Sequence, residues 1–449
     1  MIWQERITII KMSSKGANSR ILSIFRSNII NMGKLIKNGF AHIFVGTFLN
    51  KAVTMISSIV IARIVNKAEY AYLGYSETIY GYILLFAGMG LSNALLKVCS
   101  GETDSSKDKA YLLYAVKCGI ISASSITILT VFVCMLVNLP FPQAKGYIIA
   151  TMLYPALYFL YDVMMCYIRT KQKNKLYAGV NFLNAVLTCI FSIIFVLGLD
   201  AVGVVFARYV VLIIVGSIIL SEIKKILTTN HIYKLCTEEK RQLWVMAISL
   251  VFASAFASMM PFNENLLISN IIGNEEIAAN FRVAGLFPQM ILLVSQAVTI
   301  YFFPIIASLD NKGEKTRTKI IKIELLNVIL VIGVMLVGIV ISPWLIGFFY
   351  GEKYVDAIPL TYMLWIMRGI TAAVIMVPSN MLIAIGKIKF NLIISIVTFV
   401  LQITFDWLFI INYGINGVAY GTILTYVIVG IAYWVYFFRV TRDQKNRKY

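Results

Sequence analysis

The sequence predicts an all-α integral membrane protein with about twelve transmembrane helices. Hydrophobic residues make up 59% of its 449 residues and charged residues 14%, whereas soluble domains carry about a quarter charged residues. Apolar blocks of about 20 residues also recur from residue 40 onwards, and each can cross a hydrocarbon core of ~30 Å as a helix. We place the spans at 41–63, 77–97, 110–137, 147–168, 176–198, 202–221, 243–272, 282–307, 320–342, 359–385, 390–411 and 416–438.

The basic residues predict the orientation. Of the 40 Lys and Arg residues, 31 lie in the first 40 residues, in the C-terminal tail or in every second connection between spans. The positive-inside rule places these segments, and therefore both termini, in the cytoplasm. The net charge of +19 follows from this topology and requires no nucleic-acid partner.

The spans divide six and six at a basic connection. We predict a basic cytoplasmic leader at 1–40, which is either an amphipathic helix on the inner leaflet or a disordered segment. Two six-helix bundles follow at 41–221 and 243–438, joined by a basic linker at 222–242 and ended by a basic tail at 439–449. A weak match between IARIVNKAEYA and ISNIIGNEEIA, after the first span of each half, indicates a parallel repeat, and such repeats place the substrate at their interface.

The connections favour a transporter over an enzyme. Every predicted outward loop is shorter than about 20 residues, and the longest inward segments are the leader and a linker of about 21 residues. Neither side can hold a catalytic domain with its own core. The two histidines are far apart in sequence and have no metal-ligand spacing around them, so we expect neither catalytic residues nor a metal site.

Several motifs resemble the polysaccharide flippases. The first half contains IARIVNKAEYAYLGYSETIYGYILLFAGMGLSNALLK, a span ending in Arg, a short loop with an acid and an aromatic, and a span closing on Gly-Leu and a base. The second half contains ENLLISNIIGNEEIAANFRVAG and, near its end, FDWLFIINYGINGVAYGT. The resemblance covers roughly residues 40–438, and the order and spacing of the motifs carry it.

The resemblance implies a member of the multidrug/oligosaccharidyl-lipid/polysaccharide (MOP) exporter superfamily, with two bundles around a central cavity as in MATE transporters. It also implies a flippase that moves undecaprenyl-diphosphate-linked oligosaccharides to the outer leaflet of the bacterial cytoplasmic membrane by alternating access. Its partners would be that substrate, membrane lipids and other polysaccharide assembly proteins. No cofactor is expected beyond Na⁺ or H⁺ as the coupling ion. An ion-coupled drug/cation antiporter of the same superfamily is the first alternative, and a membrane-embedded polymerase or glycosyltransferase, disfavoured by the short outward loops, is the second.

Four basic residues are candidates for binding the diphosphate. An unpaired anion inside the hydrocarbon core is heavily penalised, so a flippase needs cations at intermediate depth. The alternative is structural: Arg208 and Arg282 lie near the outer surface, and Lys51 and Arg368 neutralise buried acids. The candidates are Arg368, Lys51, Arg208 and Arg282.

Other polar residues within spans are candidates for ion coupling and sugar contact. Glu264, Asn265 and Asp406 offer hard oxygen ligands for Na⁺ or a proton relay, although a salt bridge would explain the acids equally well. In the family that the sequence resembles, Asp and Asn often stand at the positions of Glu264 and Asp406, so this sequence departs from the family pattern there. Tyr154, Tyr158 and Tyr161 share one face of the fourth span, and this face either contacts a sugar or packs against neighbouring helices.

Overall fold

A computed structural model describes residues 40–102, 104–226, 233–307, 309 and 314–446. For residues 40–47, 253–254, 304, 314–315 and 443–446 only the backbone is described. The predicted leader lies outside the described residues up to residue 39. Within the described ranges the chain is helical and contains no strand.

The described chain forms sixteen α-helices. They are α1 Phe40–Ile64, α2 Lys67–Phe86, α3 Leu91–Cys99, α4 Ser105–Leu136, α5 Ala144–Ala150, α6 Tyr154–Thr170, α7 Asn174–Leu199, α8 Val202–Ile226, α9 Thr237–Ile272, α10 Glu275–Leu286, α11 Ile291–Ala307, α12 Glu314–Tyr350, α13 Ile358–Val374, α14 Met376–Ala384, α15 Ile388–Tyr413 and α16 Asn416–Asn446. Short 3₁₀ turns follow α2, α10 and α12 at Ala87–Gly90, Pro288–Met290 and Glu352–Ala357.

These helices form a multi-pass membrane protein. Nine stretches of described helix are long and apolar enough to cross a membrane, and two bent helix pairs raise the number to eleven. Helix α1, whose side chains are described from residue 48 onwards, coincides with the remaining predicted span. Large apolar side chains such as Leu136, Leu197 and Val340 are 71–77% exposed, as expected of residues that face lipid. The prediction of an all-helical membrane protein is therefore confirmed.

Four spans that the sequence presents as continuous are each built from two helices. These are α2–α3, α5–α6, α10–α11 and α13–α14, the second and fourth spans of each half. In the first of them, Gly88 and Gly90 take φ values of 71° and 78°, a left-handed conformation that glycine adopts without strain. Hydropathy shows that such a segment is apolar but does not show where its helix is interrupted, so the breaks were not predicted.

The second span begins ten residues earlier than predicted. Helix α2 starts at Lys67, after Asn66 caps it by accepting a hydrogen bond from the Ala68 amide. The segment 67–76 lies outside the predicted span, yet the fold buries most of it. As a consequence Glu77 lies about 15 Å along the helix, at ~1.5 Å per residue.

Buried apolar side chains form three cores with different membership. We call the end of the molecule where the basic connections lie the basic end, and the opposite end the far end. A shared core joins residues from both halves at the far end, from Ile59 to Ala419. A first-half core and a second-half core occupy the basic end, within 91–247 and 298–437 respectively. The two halves therefore share an apolar core at the far end and have separate apolar cores at the basic end.

Helix α9 bridges the halves. It bends by 43° between its segments Thr237–Phe252 and Ala255–Ile272. Leu243 and Ala247 of the first segment belong to the first-half core, whereas Ile268 of the second segment belongs to the shared core. By sequence α9 opens the second half, but its basic-end segment packs with the first.

Candidate functional site

A polar chamber of about 300 Å³ lies inside the first half and is closed on one side by the second. Helices α1, α2, α6, α7 and α8 form its walls, and α10 contributes a single arginine. The lining residues are Asn50, Thr54, Ser57, Ser58, Ile61, Tyr70, Leu73, Glu77, Tyr154, Tyr158, Asn184, Ala185, Thr188, Cys189, Ser192, Val204, Arg208, Leu212 and Arg282.

Two polar stripes line this chamber, on the neighbouring helices α1 and α7. On α7 the stripe is Asn184, Thr188 and Ser192, spaced four residues apart and therefore on one helix face. On α1 the stripe is Asn50, Thr54 and Ser58, which are also spaced four residues apart. The Asn184 Oδ1 and Ser192 Oγ atoms are buried without a hydrogen-bond partner among the described residues. Because buried polar groups are normally hydrogen-bonded, these atoms are available to a ligand.

An acidic residue links two arginines at the chamber wall. Arg208 and Arg282 each donate a hydrogen bond to a different carboxylate oxygen of Glu77. Arg282 also donates to the Tyr70 carbonyl oxygen at 3.1 Å, and its guanidinium lies 4.3 Å from the centre of the Tyr70 ring. A Cβ at Gly74 would lie 2.6 Å from Arg282 Nη1, so glycine there gives the arginine its space.

The triad has a net charge of +1 and connects the two halves. Its three side chains remain 22–25% exposed. Glu77 and Arg208 belong to the first half, and Arg282 comes from the second. The structure thus brings together two of the four predicted cations, together with an acid that was not predicted.

The tyrosine face of α6 is divided between the chamber and the core. Tyr154 and Tyr158 line the chamber, with ring centres 5.6 Å apart. The Arg208 guanidinium lies 5.8 Å from the centre of the Tyr154 ring. Tyr161 is 7% exposed and donates a hydrogen bond to Asn181 Oδ1 at 2.8 Å. Only the first two tyrosines are therefore placed to touch a ligand in the chamber.

Lys51 is exposed and is not among the chamber's lining residues. It lies seven residues before Ser58 and so on the same face of α1, about 10 Å further towards the basic end at ~1.5 Å per residue.

A second polar cluster lies in the second half, around Arg368. The Arg368 guanidinium grips Glu264 with two parallel hydrogen bonds, of 3.1 Å to Oε1 and 2.5 Å to Oε2. The side chains are 12% and 1% exposed. Two residues predicted for separate roles, diphosphate binding and ion coupling, are therefore bonded to each other.

The cluster continues from Glu264 to Asp406 through neutral groups. Gln402 Nε2 lies 3.4 Å from both Glu264 Oε1 and Thr422 Oγ1. The Thr422 hydroxyl lies 3.1 and 3.2 Å from the two Asp406 carboxylate oxygens. Asp406 is fully buried, and a Cβ at Gly421 would lie 2.5 Å from its Oδ1. Asn265 faces away, with its Nδ2 3.5 Å from the Pro261 carbonyl oxygen.

Sequence reasoning missed three polar members of these sites. Glu77 was placed at the edge of a span because the start of α2 was predicted too late. Gln402 and Thr422 are uncharged and were not among the predicted site residues. Gln402 nevertheless lies four residues from Asp406 and thus on the same helix face. The stripes on α1 and α7 could have been found by looking for polar residues spaced four apart within apolar spans.

The chemistry of the chamber suits an anion with polar substituents. Guanidinium forks grip phosphate oxygens in two places, and tyrosine rings with hydroxyl and amide groups can contact a sugar. In the described part of the chain no three His, Cys, Asp or Glu side chains are grouped as metal ligands.

The fold is that of the MATE transporters of the MOP superfamily. A multidrug resistance MATE transporter in an inward-facing conformation matches with a TM-score of 0.68 at 17% identity, over 88% of this chain and 96% of its own. The MATE multidrug transporter DinF-BH gives a TM-score of 0.66 at 16% identity, over 90% and 95% of the two chains. A MATE transporter in the straight conformation gives 0.62 at 15% identity, over 92% and 96%.

The sequence defines the family more narrowly. The model of the polysaccharide biosynthesis protein family matches residues 35–310, which is more than half of the chain. The chain belongs to this family. No curated protein matches it closely enough to count as a relative.

Proposed function

We propose that the protein is a flippase for undecaprenyl-diphosphate-linked oligosaccharides in the bacterial cytoplasmic membrane. Two guanidiniums beside a tyrosine and hydroxyl wall in one chamber are the observation that carries this proposal. A transporter fold and a polysaccharide biosynthesis family support it. Both termini would face the cytoplasm, because the basic connections lie at the same end of the molecule as Phe40 and Asn446, where the described chain begins and ends.

The charge of the chamber fits a diphosphate. A diphosphate diester carries about two negative charges at neutral pH, which Arg208 and Arg282 would balance. Glu77 holds both arginines in the structure, so the substrate must compete with this carboxylate for them. Since like charges in a partly dehydrated site repel strongly, Glu77 would leave its partners when the diphosphate enters.

Displacing Glu77 would also weaken the contact between the halves. The hydrogen bond that Arg282 donates to Glu77 is one of several polar contacts that join the halves, together with those that Tyr82 donates to Asn263 and Tyr72 donates to Glu275. In alternating access the two halves separate at one end while they close at the other. Substrate arrival at the two arginines would thereby favour opening of the far end.

The chamber would hold only the head of the substrate. Its volume of about 300 Å³ is at the lower end of the range for small-molecule sites. We assign the diphosphate to the arginines and the first sugar to Tyr154, Tyr158 and the α7 stripe. Further sugars would extend between the halves towards the basic end, where Lys51 offers a contact during entry.

Ion coupling through Glu264, Asn265 and Asp406 remains part of the proposal. Arg368 already offsets the charge of Glu264, whereas the hydrogen-bond partners of Asp406 in the described structure are the neutral side chains of Thr422 and Gln402. Asp406 is therefore our choice for the group that exchanges Na⁺ or H⁺. Loss of ion dependence in Asp406→Asn, with retained folding, would support this assignment, and unchanged ion dependence would refute it.

Complementation of a flippase-deficient strain tests the proposed function. We expect the wild-type gene to restore surface polysaccharide and to remove the lipid-linked sugar that accumulates on the cytoplasmic side. Arg208→Gln and Arg282→Gln should each reduce this activity at least tenfold, while Arg63→Gln, at an exposed arginine of α1, should not. Failure of the wild-type gene with every lipid-linked oligosaccharide tested would refute the proposal.

Resistance to cationic drugs tests the alternative of a drug/cation antiporter. The solved MATE neighbours include multidrug transporters, but two arginines against one acid in the chamber repel cationic compounds. We expect no resistance on expression. Resistance that disappears in Glu77→Gln would favour the antiporter.

A further inference from the structure

The break between α13 and α14 creates a helix end inside the second half. The Ala372 carbonyl oxygen, in the last turn of α13, accepts hydrogen bonds from Ser295 Oγ and from Asn327 Nδ2, both at 3.1 Å. The carbonyl end of a helix carries partial negative charge and favours a nearby cation. Broken helices in transporters commonly use such ends for cations.

Three side-chain oxygens around this point are buried without a hydrogen-bond partner in the described part of the chain. They are Thr299 Oγ1 on α11 and Asn327 Oδ1 and Glu324 Oε2 on α12. Asn327 is fully buried and Thr299 is 6% exposed. Buried oxygens without donors are costly, and a cation would satisfy several of them together.

The helix geometry places these oxygens together. Successive spans run in opposite directions, so a position one turn later on α11 lies beside a position one turn earlier on α12. Ser295 and Asn327 meet at the Ala372 carbonyl; Thr299 is one turn beyond Ser295, and Glu324 is three residues before Asn327. The Asn327 amide also interacts with the Glu324 carboxylate.

Glu324 is an acid without a basic partner. None of the ion pairs among the described residues includes it. Glu264 and Asp406, by contrast, lie on α9 and α15, with Arg368 beside them. The position therefore holds a carboxyl group that no basic side chain pairs with among the described residues, on the side of the α13 end that faces the basic end.

We propose that Glu324, Asn327 and Thr299 form a binding site for a monovalent cation, Na⁺, beside the end of α13. All the ligands are oxygens, which suits a hard cation. A single carboxylate balances one positive charge, whereas a divalent ion would leave an uncompensated charge in the interior. The site is independent of the chamber in the first half and of the substrate assigned to it.

Binding of Na⁺ to the purified full-length protein in lipid nanodiscs tests the site. Radiolabelled Na⁺ binding and the melting temperature are measured while NaCl replaces choline chloride at constant ionic strength. A ligand that binds only the folded protein raises its melting temperature. We expect a rise of a few degrees with Na⁺, its loss in Glu324→Gln, and weaker Na⁺ binding in Thr299→Val.

Asp162→Asn is the matched control, because it neutralises a partly buried acid of α6 that belongs neither to this site nor to the proposed ion-coupling group. We expect this variant to keep the Na⁺-dependent rise. Absence of the rise in the wild-type protein, its persistence in Glu324→Gln, or its loss in Asp162→Asn alone would overturn the proposal. A rise with Ca²⁺ but not with Na⁺ would also overturn it. Because no readout involves transport, failure here leaves the proposed flippase function standing, and the reverse also holds.

Discussion

At the scale of single residues, the bond between Arg368 and Glu264 decides how substitutions there will behave. Removing one partner of a buried pair leaves an uncompensated charge and costs about 3–5 kcal/mol. Both residues were predicted to be functional, and the structure shows that either change also disturbs the other residue. Stability and transport must therefore be measured separately.

We predict that Arg368→Ala abolishes transport while the protein still inserts in the membrane. Arg368→Lys should keep part of the activity, because a lysine supplies the charge but not the planar fork. Expression level, melting temperature and complementation are measured for each variant. The double variant Arg368→Ala/Glu264→Gln removes both charges and should recover most of the lost stability. If it also recovers transport, the pair is structural and the ion-coupling role of Glu264 is refuted.

Glu77→Gln should strengthen binding of inorganic pyrophosphate to the chamber by roughly tenfold. The substitution keeps the side-chain shape and removes a like charge that costs more than ~1 kcal/mol beside a bound anion. The measurement is the pyrophosphate dependence of the melting temperature. Glu275→Gln, which changes a far-end carboxylate bonded to Tyr72, is the control and should bind as the wild-type protein does. Equal binding by Glu77→Gln and wild type would contradict the competition between Glu77 and the substrate.

The candidate residues were only partly predictable, because the depth of a side chain in the membrane and the residues that it contacts depend on tertiary structure. Arg208 and Arg282 were identified as cations in spans, but their common partner Glu77 belongs to a segment whose polar residues hid the start of α2. Arg368 and Glu264 were both identified, yet 104 residues separate them in sequence, and nothing local indicates that they bond. Lys51 resembles the other cations in sequence, but it lies nearer the basic end than the chamber and is exposed.

At the scale of elements, the structure differs from the sequence prediction mainly in the four spans that are each built from two helices. Length and hydropathy predicted the approximate positions of the nine to eleven candidate spans found in the described residues. The break between α2 and α3 depends on three consecutive residues with positive φ, Gly88, Met89 and Gly90. Gly90 shows the constraint, since its φ is 78° and a Cβ there would overlap the Ala247 carbonyl oxygen of α9.

We predict that Gly90→Ala destabilises the protein by about 1–3 kcal/mol, the usual cost of a non-glycine residue held in a strained conformation. The added methyl group would also push the basic-end segment of α9 away from α3. Gly179 lies within α7 with open space around its Cα, and Gly179→Ala should be neutral or stabilise by up to about 1 kcal/mol. Melting temperatures of both variants in the same detergent compare the effects. A smaller loss in Gly90→Ala than in Gly179→Ala would show that the break does not require glycine.

At the scale of the whole molecule, orientation in the membrane remains a prediction from charge. Reporters fused after Lys175 or at the C terminus should report the cytoplasm, and reporters at Lys145 or Lys353 should report the outside. Reporter enzymes active on only one side of the membrane make the measurement. Reversal at two of these four sites would invert the molecule and remove the reason for placing substrate entry at the basic end.

The packing of α9 has a consequence for building hybrid proteins. From the sequence alone, a hybrid of two relatives would be joined in the connection after α8, where the first six-span half ends and the second begins. The segment Thr237–Phe252 nevertheless packs in the first-half core. A hybrid joined after α8 would therefore pack this segment of one relative against the first-half helices of the other. A junction at the bend, between Phe252 and Ala255, keeps each piece of α9 with the helices against which it evolved. Recombination within this family should therefore tolerate exchange at the bend better than exchange at the loop.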